Sequence, residues 1–432
     1  MPTNSSPLDS ISIPDIARRA VALNVAGVAR TMARGRRGWV GGVNTDYDPL
    51  DPSTAAQPYE AYRRLHETGR VHYNPRRATW ILSRIDDVRD ALRATDKVTS
   101  AVGVTRFRIA APLVVLTDGA QHSALRKQIQ PAFTRGAMDS WRAMTHKLAT
   151  ELLDELLSDP AGEVMAKLAV PMPMNLIAHV LGVPDVDLDD FRRWSESAVR
   201  IMDTSATFEG AKHTAQALAA LKSLHTYFHR QFRAGHLKES DTVLGRLLVN
   251  ETNGLGDNDL FLIAILLLIA GNETTTNLLG GLFDSLASNP DQYDLLRSNP
   301  DLVPAAIEEQ LRFSSPIQNL YRYTCADYEV AGVTIPTGSR ILLSFGAANR
   351  DPAAFENPDE YRIDRENKTH VGFGYGAHMC VGAPLARMET QSVLTELVAR
   401  IERIEHAGPV TWSTNSSLRG PTRLPVKLHL AR

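Results

Sequence analysis

The stretch FGYGAHMCVG, Phe373 to Gly382, holds three glycines, one histidine and one of the chain's two cysteines within ten positions. Cys380 precedes a helix expected to open near Gly382, whose unpaired N–H groups and positive end favour thiolate over thiol. A thiolate ligates metal. Gly374, Gly376 and Gly382 let the backbone turn sharply and let a flat partner approach without Cβ contacts, while N–H groups aimed at sulfur would moderate its electron donation. A haem face is such a partner. A buried, inert cysteine in a glycine-rich turn is the competing reading, and the commoner one when the glycines stand alone.

A second stretch, LLLIAGNETTTNLL, sets Ala270, Gly271, Glu273 and Thr274 in the middle of the most apolar helical pattern in the chain. Polar residues there are costly unless partnered. Ala270 and Thr274 lie one turn apart, so a Thr274 hydroxyl bonded to the carbonyl four residues earlier is expected to open the ladder and leave a groove. O2 would fit such a groove, with Glu273 and Thr274 placed to pass protons. A helix that turns polar on reaching the surface explains the segment equally well. Two further pairs are weaker alone: Glu309 and Arg312 in EEQLR, at ion-pair spacing, and His122 and Arg126 in DGAQHSALRKQIQPAF, two donors suited to a carboxylate or phosphate. Each by itself reads as ordinary surface charge.

The elements that must position these groups are mostly helical. A helix over YEAYRRLHETG, a hairpin from VHYN and TWILSR, and a helix over IDDVRDALRA precede Thr95 to Asp118, which has no steady period and reads as a long binding or lid loop. From Gly119 to about Asn289 the pattern is nearly all helical, with breaks at Pro131, Pro160, Pro184 and around NETNGLGDND. Helices follow near Pro290 to Arg297 and Val303 to Phe313. Val330 to Ile335 and Arg340 to Phe345 are expected to pair across Pro336 to Ser339, and a last helix runs from Ala383 to about Ile401 before short strands near LPVKLHL. A weakly amphipathic basic segment, Ile16 to Arg37, is expected to be a solvated or locally packed helix.

With 432 residues, 43% hydrophobic and 22% charged, and a net charge of -2, the chain can bury a large core and lacks the charge excess of a nucleic-acid binder. No linker, repeat or charge block divides it, so 59–432 is expected to be one catalytic domain behind an N-terminal extension and connector at 1–58. Two cysteines are too few for a disulfide framework or a four-cysteine metal site. The start lacks a secretory signal, and the longest apolar run, FLIAILLLIAG, is about half a membrane span. A cytoplasmic monomer without a transmembrane anchor is the expectation.

Taken in order, these segments resemble the cytochrome P450 superfamily of haem-thiolate monooxygenases, from roughly Tyr59 to the C-terminus. The signature F-G-x-G-x-H-x-C-x-G is filled by Phe373, Gly374, Gly376, His378, Cys380 and Gly382; A-G-x-[DE]-T-[TS] by Ala270, Gly271, Glu273, Thr274 and Thr275; and E-x-x-R by Glu309 and Arg312. The resemblance implies a mostly α cytochrome P450 fold with small peripheral β-sheets, and haem b with the Cys380 thiolate as axial ligand. It implies that Phe373 packs on the haem near the sulfur, that Gly374, Ala270 and Gly271 lie against it, and that His122, Arg126, Arg322 and His378 pair with its propionates. Glu273 and Thr274 would deliver protons during oxygen activation; Glu309 and Arg312 would buttress the cysteine loop. There are two departures. Where the family places an arginine twenty residues before the cysteine, this chain has Glu360 with Arg362 close by, and where many relatives read D-P-P it reads Asp118-Gly119-Ala120.

The resemblance also implies oxidation of a hydrophobic small organic substrate with O2 and two electrons. The chain has no room for a flavin module and no cysteines for a cluster, so the electrons are expected from a ferredoxin and its NAD(P)H-dependent reductase, with Lys127, Arg135 and Arg387 as candidate steering charges. Phe107, Val114, Leu266, Ile269 and Ile317 are expected in an apolar pocket wall, with Arg106, Arg108, Gln318 and Asn319 as candidate polar anchors. Rival readings are a peroxide-driven peroxygenase and a non-catalytic haem sensor, which the Glu273 and Thr274 pair argues against, and a colourless cysteine-nucleophile hydrolase.

Overall fold

The computed structural model describes residues 18–19, 22–24, 41–106, 108–183, 188–199, 208–240, 242–249, 255–366 and 369–431. Phe107, Pro184 and most of the expected Ile16 to Arg37 helix lie outside the described residues; within that segment, 18–19 and 22–24 are helical.

The architecture is organised by the 32-residue helix Asp257–Ser288. Asp257 and Asp259 sit in its first turn, where carboxylates complement the positive helix end, and Asp259 accepts the Gly256 N–H at 2.9 Å. Its length and composition would allow it to cross a bilayer, but most of it packs against protein. The helices Pro171–Leu181, Leu188–Val199, Phe208–Ala234, Val303–Phe313 and Ala383–Arg400 lie on it directly, and Arg135–Ser158 lies against Ala383–Arg400. Its first half, from Leu260 to Leu268, belongs to one apolar cluster with Ile177 and Phe228; its second half, from Leu278 to Leu286, belongs to another with Leu153 and Leu394. The polar interruption noted in the sequence is the seam between these two cores.

A six-stranded sheet flanks the helices in the order β1-β2-β3-β8-β5-β4. Its strands are β1 (Val43–Asn44), β2 (Val71–Asn74), β3 (Thr79–Leu82), β4 (Val98–Thr99), β5 (Asn319–Thr324) and β8 (Arg340–Ser344). The expected β2 and β3 hairpin forms, with Val71 opposite Leu82. The second expected hairpin does not. β7 (Val333–Ile335) turns back on β6 (Tyr328–Val330) across Ala331-Gly332, both at positive φ (50° and 75°), as a two-residue turn requires. β8 instead runs parallel to β3 and antiparallel to β5. Ile341, Leu342 and Leu343 are fully buried, which places β8 inside the sheet, where both faces are covered.

Under the cysteine loop lies a buried ion cluster. Glu309 and Arg312 are each 1% exposed, and Arg312 Nε and Nη2 both donate to the Glu309 carboxylate at 2.8 Å. The second arginine on that carboxylate is Arg365, with Nε at 3.3 Å. The candidate read from sequence, Arg362, is displaced from this role: its side chain pairs with Asp364 at the surface, and only its backbone N–H reaches Glu309, at 2.9 Å. Tyr361 and Ile363 on either side are buried, so the side chain between them must face outward. Glu360 contributes its carbonyl, which accepts from both Arg312 and Arg365.

Removing one partner of a fully buried ion pair costs about 3–5 kcal/mol. Arg365→Ala should therefore lower the thermal midpoint severely, whereas Arg362→Ala should stay within about 0.5 kcal/mol of the native chain. Calorimetry giving equal losses for both would remove Arg365 from the cluster. A second stability effect is pH-dependent. Glu389, on Ala383–Arg400, is buried with Oε2 unpartnered, and burial pushes its pKa from the ordinary 4.5 up to about 8. The folded state then holds a proton that the unfolded state releases, so this group's contribution to stability falls as pH rises from 4.5 to about 8. Glu389→Gln should gain stability over the native chain near the upper end of that window and little at the lower end. A pH-independent difference in thermal melts would contradict it.

Candidate functional site

Gly374 and Gly376 hold the cysteine loop in the left-handed region, at φ 75° and 68°. Gly374 N–H donates to the Val371 carbonyl at 2.8 Å, Met379 N–H to Gly376 at 3.1 Å, and Cys380 N–H to Phe373 at 2.8 Å. The loop thereby delivers Cys380 two residues before Gly382, the N-cap of Ala383–Arg400, where the N–H groups of Gly382 and Ala383 donate to the sulfur. The side chain is reachable by solvent. Protein nevertheless surrounds it closely enough for burial to push the thiol pKa up, against the pull of those N–H groups, Arg126 and Arg387. A group that is both accessible and desolvated lies in the floor of a hollow. The helix end therefore does not secure a thiolate unaided, as the sequence reading expected; desolvation wins, and a bound cation is what would hold the negative charge.

Beside the sulfur, the Arg387 guanidinium stacks 4.5 Å over the Phe373 ring and pairs with Glu308 at 2.6 Å. Burial opposes ionisation of Glu308, but hydrogen bonds from Arg387 and His370 outweigh it and bring its pKa down to about 2. Arg387 is thus committed to bracing the loop and is not an unpaired steering charge; Lys127 and Arg135 are exposed.

One wall of the hollow is basic. The helix Gly119–Ile129 carries His122 and, one turn on, the half-buried Arg126. His122 is buried with Nε2 unpartnered, and burial, with the positive charge of His378 and Arg126, lowers its pKa. Its ring centroid lies 4.2 Å from that of His378. Arg322, on β5, is also buried; Nη1 donates to the Tyr321 carbonyl at 2.9 Å, and among the described residues no carboxylate lies within ion-pair distance. Burial pushes its pKa down to about 10, only partly offset by the more distant Asp118.

Asp118 is the residue that sequence reasoning missed. An aspartate before a helix signals an N-cap, but this carboxylate makes no capping bond. It accepts instead from His378 Nε2 at 2.9 Å, Ser100 Oγ and N–H at 2.9 Å each, Ala101 N–H at 3.2 Å and the Thr99 hydroxyl. Burial works against its ionisation, yet these bonds hold its pKa far below the ordinary carboxylate range. His378 consequently turns its Nε2 edge to Asp118 and Ser100, leaving Nδ1 for another partner. Gly119 follows at φ 59°, which the ring of the family's usual proline cannot adopt, and this accounts for the departure from D-P-P.

The central helix contributes its seam. Thr274 Oγ1 donates to the Ala270 carbonyl at 2.7 Å, but the helix continues unbroken, so the hydroxyl shares that carbonyl without opening the ladder. Ala270 is exposed and Glu273 and Thr274 half-buried in a helix whose flanks are buried. Gly271 turns away: a Cβ there would meet Ile177 at 3.6 Å. Val114 of the 95–118 loop, Ile269 of the helix seam and Val381 of the cysteine loop each pack against the same large apolar cluster. Three of the four expected polar anchors are otherwise engaged. Gln318 Oε1 accepts from Tyr62 at 2.6 Å, Asn319 bonds the Tyr47 hydroxyl and the Ser416 carbonyl, and Arg108 stacks 4.5 Å over Tyr323.

A thiol in the floor, a buried guanidinium short of an anion, an unpartnered imidazole edge and the exposed Ala270 of the central helix suit a flat metal macrocycle bearing carboxylates. Haem b is such a group; Cys380 would hold its iron, and Arg322, His122, Arg126 and the Nδ1 edge of His378 would be available to its propionates.

Comparison with known proteins points the same way. The family described as Cytochrome P450 matches residues 53–405. The chain is 47% identical over 409 residues, 94% of its length and 83% of the relative's, to the beta-dihydromenaquinone-9 omega-hydroxylase of Mycobacterium tuberculosis. It is 34% identical over 387 residues to the vitamin D(3) 25-hydroxylase of Pseudonocardia autotrophica, covering 86% of this chain and 94% of that one. Among solved structures, a cytochrome P450 from Chondromyces apiculatus superposes with a TM-score of 0.80 at 30% identity, covering 90% of this chain and 99% of the other.

Asp118→Asn keeps the shape of the hub and removes its charge. Haem should leave the variant about tenfold faster, as expected for weakening one or two charge-assisted bonds. An unchanged rate of Soret loss to a haem acceptor protein would show that the hub does not support the site.

Proposed function

Because the chain belongs to the cytochrome P450 family, we propose that this haem-thiolate monooxygenase hydroxylates the end of a long apolar isoprenoid chain, such as the tail of a menaquinone. The observation that carries the substrate class is the fate of the polar anchors. Gln318, Asn319 and Arg108 are spent on internal contacts, while Val114, Leu266, Ile269 and Ile317 remain only partly buried and Ala270 is exposed. An apolar guest is favoured in such a hollow, with the cations of the basic wall left to the haem propionates. The name of the 47% identical relative supports the same class.

Haem b supplies the redox-active iron at which O2 takes up two electrons and two protons, one oxygen atom passing to a C–H bond and the other leaving as water. The chain's own residues hold and feed that chemistry. Cys380 is the ligand, kept from excess donation by the N–H groups of Gly382 and Ala383. The Thr274 hydroxyl, fixed by its bond to the Ala270 carbonyl, presents its lone pairs to the hollow, and the half-buried Glu273 is placed to bring protons to it from solvent. Ala270 leaves room for the chain end. Electrons come from a separate ferredoxin and reductase, which the exposed Lys127 and Arg135 would help to steer.

Optical titration with a menaquinone, a steroid and a fatty acid should give a low-to-high-spin Soret shift with the menaquinone, and turnover should place one hydroxyl at the end of its tail. A shift with the steroid alone would overturn the substrate class. Cys380→Ala should abolish the thiolate-type spectrum of the reduced CO complex. Thr274→Ala should keep that spectrum and the substrate shift while sending electrons into peroxide; undiminished coupling would remove Thr274 from the proton path.

A further inference from the structure

Asn24 lies well before the family match, which begins at residue 53, yet its side chain grips one residue of the 95–118 loop, 84 positions away. Asn24 Nδ2 donates to the Arg108 carbonyl at 3.0 Å, and Asn24 Oδ1 accepts the Arg108 N–H at 3.1 Å. A carboxamide has one donor edge and one acceptor edge, like a peptide group, so taking both backbone groups of a single residue fixes its orientation as well as its position. The Arg108 side chain is held from the other side, over Tyr323 and donating to the Gly338 carbonyl at 3.1 Å.

The loop needs such ties because its own regular structure is slight: β4 ends at Thr99, and a single 3-10 turn spans Val114–Leu116. Before Arg108 the backbone is fastened to β5, where Tyr321 N–H donates to the Val104 carbonyl at 2.9 Å and the Tyr323 hydroxyl to the Arg106 carbonyl at 3.0 Å. After Arg108 the Ile109 N–H turns back to the Val102 carbonyl at 3.0 Å, and the chain continues to Val114, which packs against the same large apolar cluster as Ile269 and Val381.

We propose that Asn24 is a positioning residue for substrate selection: by clamping the Arg108 backbone, the N-terminal extension sets where the loop places its wall of the hollow. This rests on the proposed function only in taking that loop as a wall of the substrate site. The extension thus belongs to the selectivity of the enzyme although it lies outside the family match.

The test uses the full-length, haem-loaded chain and two iron-ligating probes that do not depend on knowing the substrate. Imidazole is small enough to ignore the loop, whereas phenylimidazole must pack against it. In Asn24→Ala, amide hydrogen exchange in the segment containing Arg108 should speed up and the reduced CO spectrum should be unchanged. Phenylimidazole should bind about tenfold more weakly, the order expected for losing two hydrogen bonds, with imidazole affected less than about twofold. Asn24→Asp, which keeps the acceptor and loses the donor, should fall between. Faster exchange with an unchanged ratio of the two affinities would make the clamp merely structural, and unchanged exchange would mean that no clamp forms; either result overturns the proposal. A native chain showing no optical response to imidazole would instead overturn the haem reading, and the clamp's role with it.

Discussion

One buried carboxylate, Glu309, organises the ground on which the cysteine loop stands. The segment from Asn349 to Arg365 has almost no regular structure, so its backbone carbonyls cannot be satisfied by a helix or a ladder and need other donors. Arg312 and Arg365 supply them. Their guanidinium groups, anchored on Glu309, reach the carbonyls of Asn349, Glu356, Asn357, Pro358 and Glu360. Asn349 passes the constraint on: its side-chain Nδ2 donates to Ser315 Oγ and its Oδ1 accepts the Val371 N–H, each at 2.7 Å. Val371 in turn accepts the Gly374 N–H where the loop begins. A buried ion cluster is expensive to assemble and very costly to leave half-made, and that asymmetry makes it a rigid base for a sulfur that must not wander.

The second constraint is the division of the core. The central helix threads two apolar clusters, and between them Ala270, Glu273 and Thr274 are left open to a hollow that neither cluster fills. The sulfur, the basic wall and the helix seam converge there because each is fastened separately: the sulfur through Glu309, the basic wall through Asp118 and the helix through its two cores. Desolvation at Cys380, Arg322 and His122 then works in one direction, making each poorly satisfied by protein alone and receptive to iron or carboxylate.

Much of this was legible locally. The glycine turns around Cys380, the Thr274 back-bond and the 71–82 hairpin depend on groups within a few residues of one another, and motif and spacing express such geometry directly. The misreadings share a different character. The sequence shows Arg362 near the expected position and does not point to Arg365, it pairs β8 with its neighbour in sequence, it leaves Arg387 without its Glu308 partner, and it offers to a ligand Gln318 and Asn319, which Tyr62 and Tyr47 claim. In every case the deciding contact comes from a distant part of the chain.

By itself the sequence determined the chemistry on offer: one cysteine in a turn only glycine permits, an alcohol and an acid on an apolar helix, and cations spaced for carboxylates. Tertiary structure decided how those charges were allotted. Arg362 and Arg365 are three positions apart and chemically identical, and what separates them is that Tyr361 and Ile363 are buried, which turns Arg362 to solvent and leaves Arg365 for Glu309. Asp118 could have capped its own helix, but the Thr99 to Ala101 loop and His378 brought stronger donors to it. Hydrogen-bonding groups take the partners that packing brings within reach, and packing is a property of the whole chain.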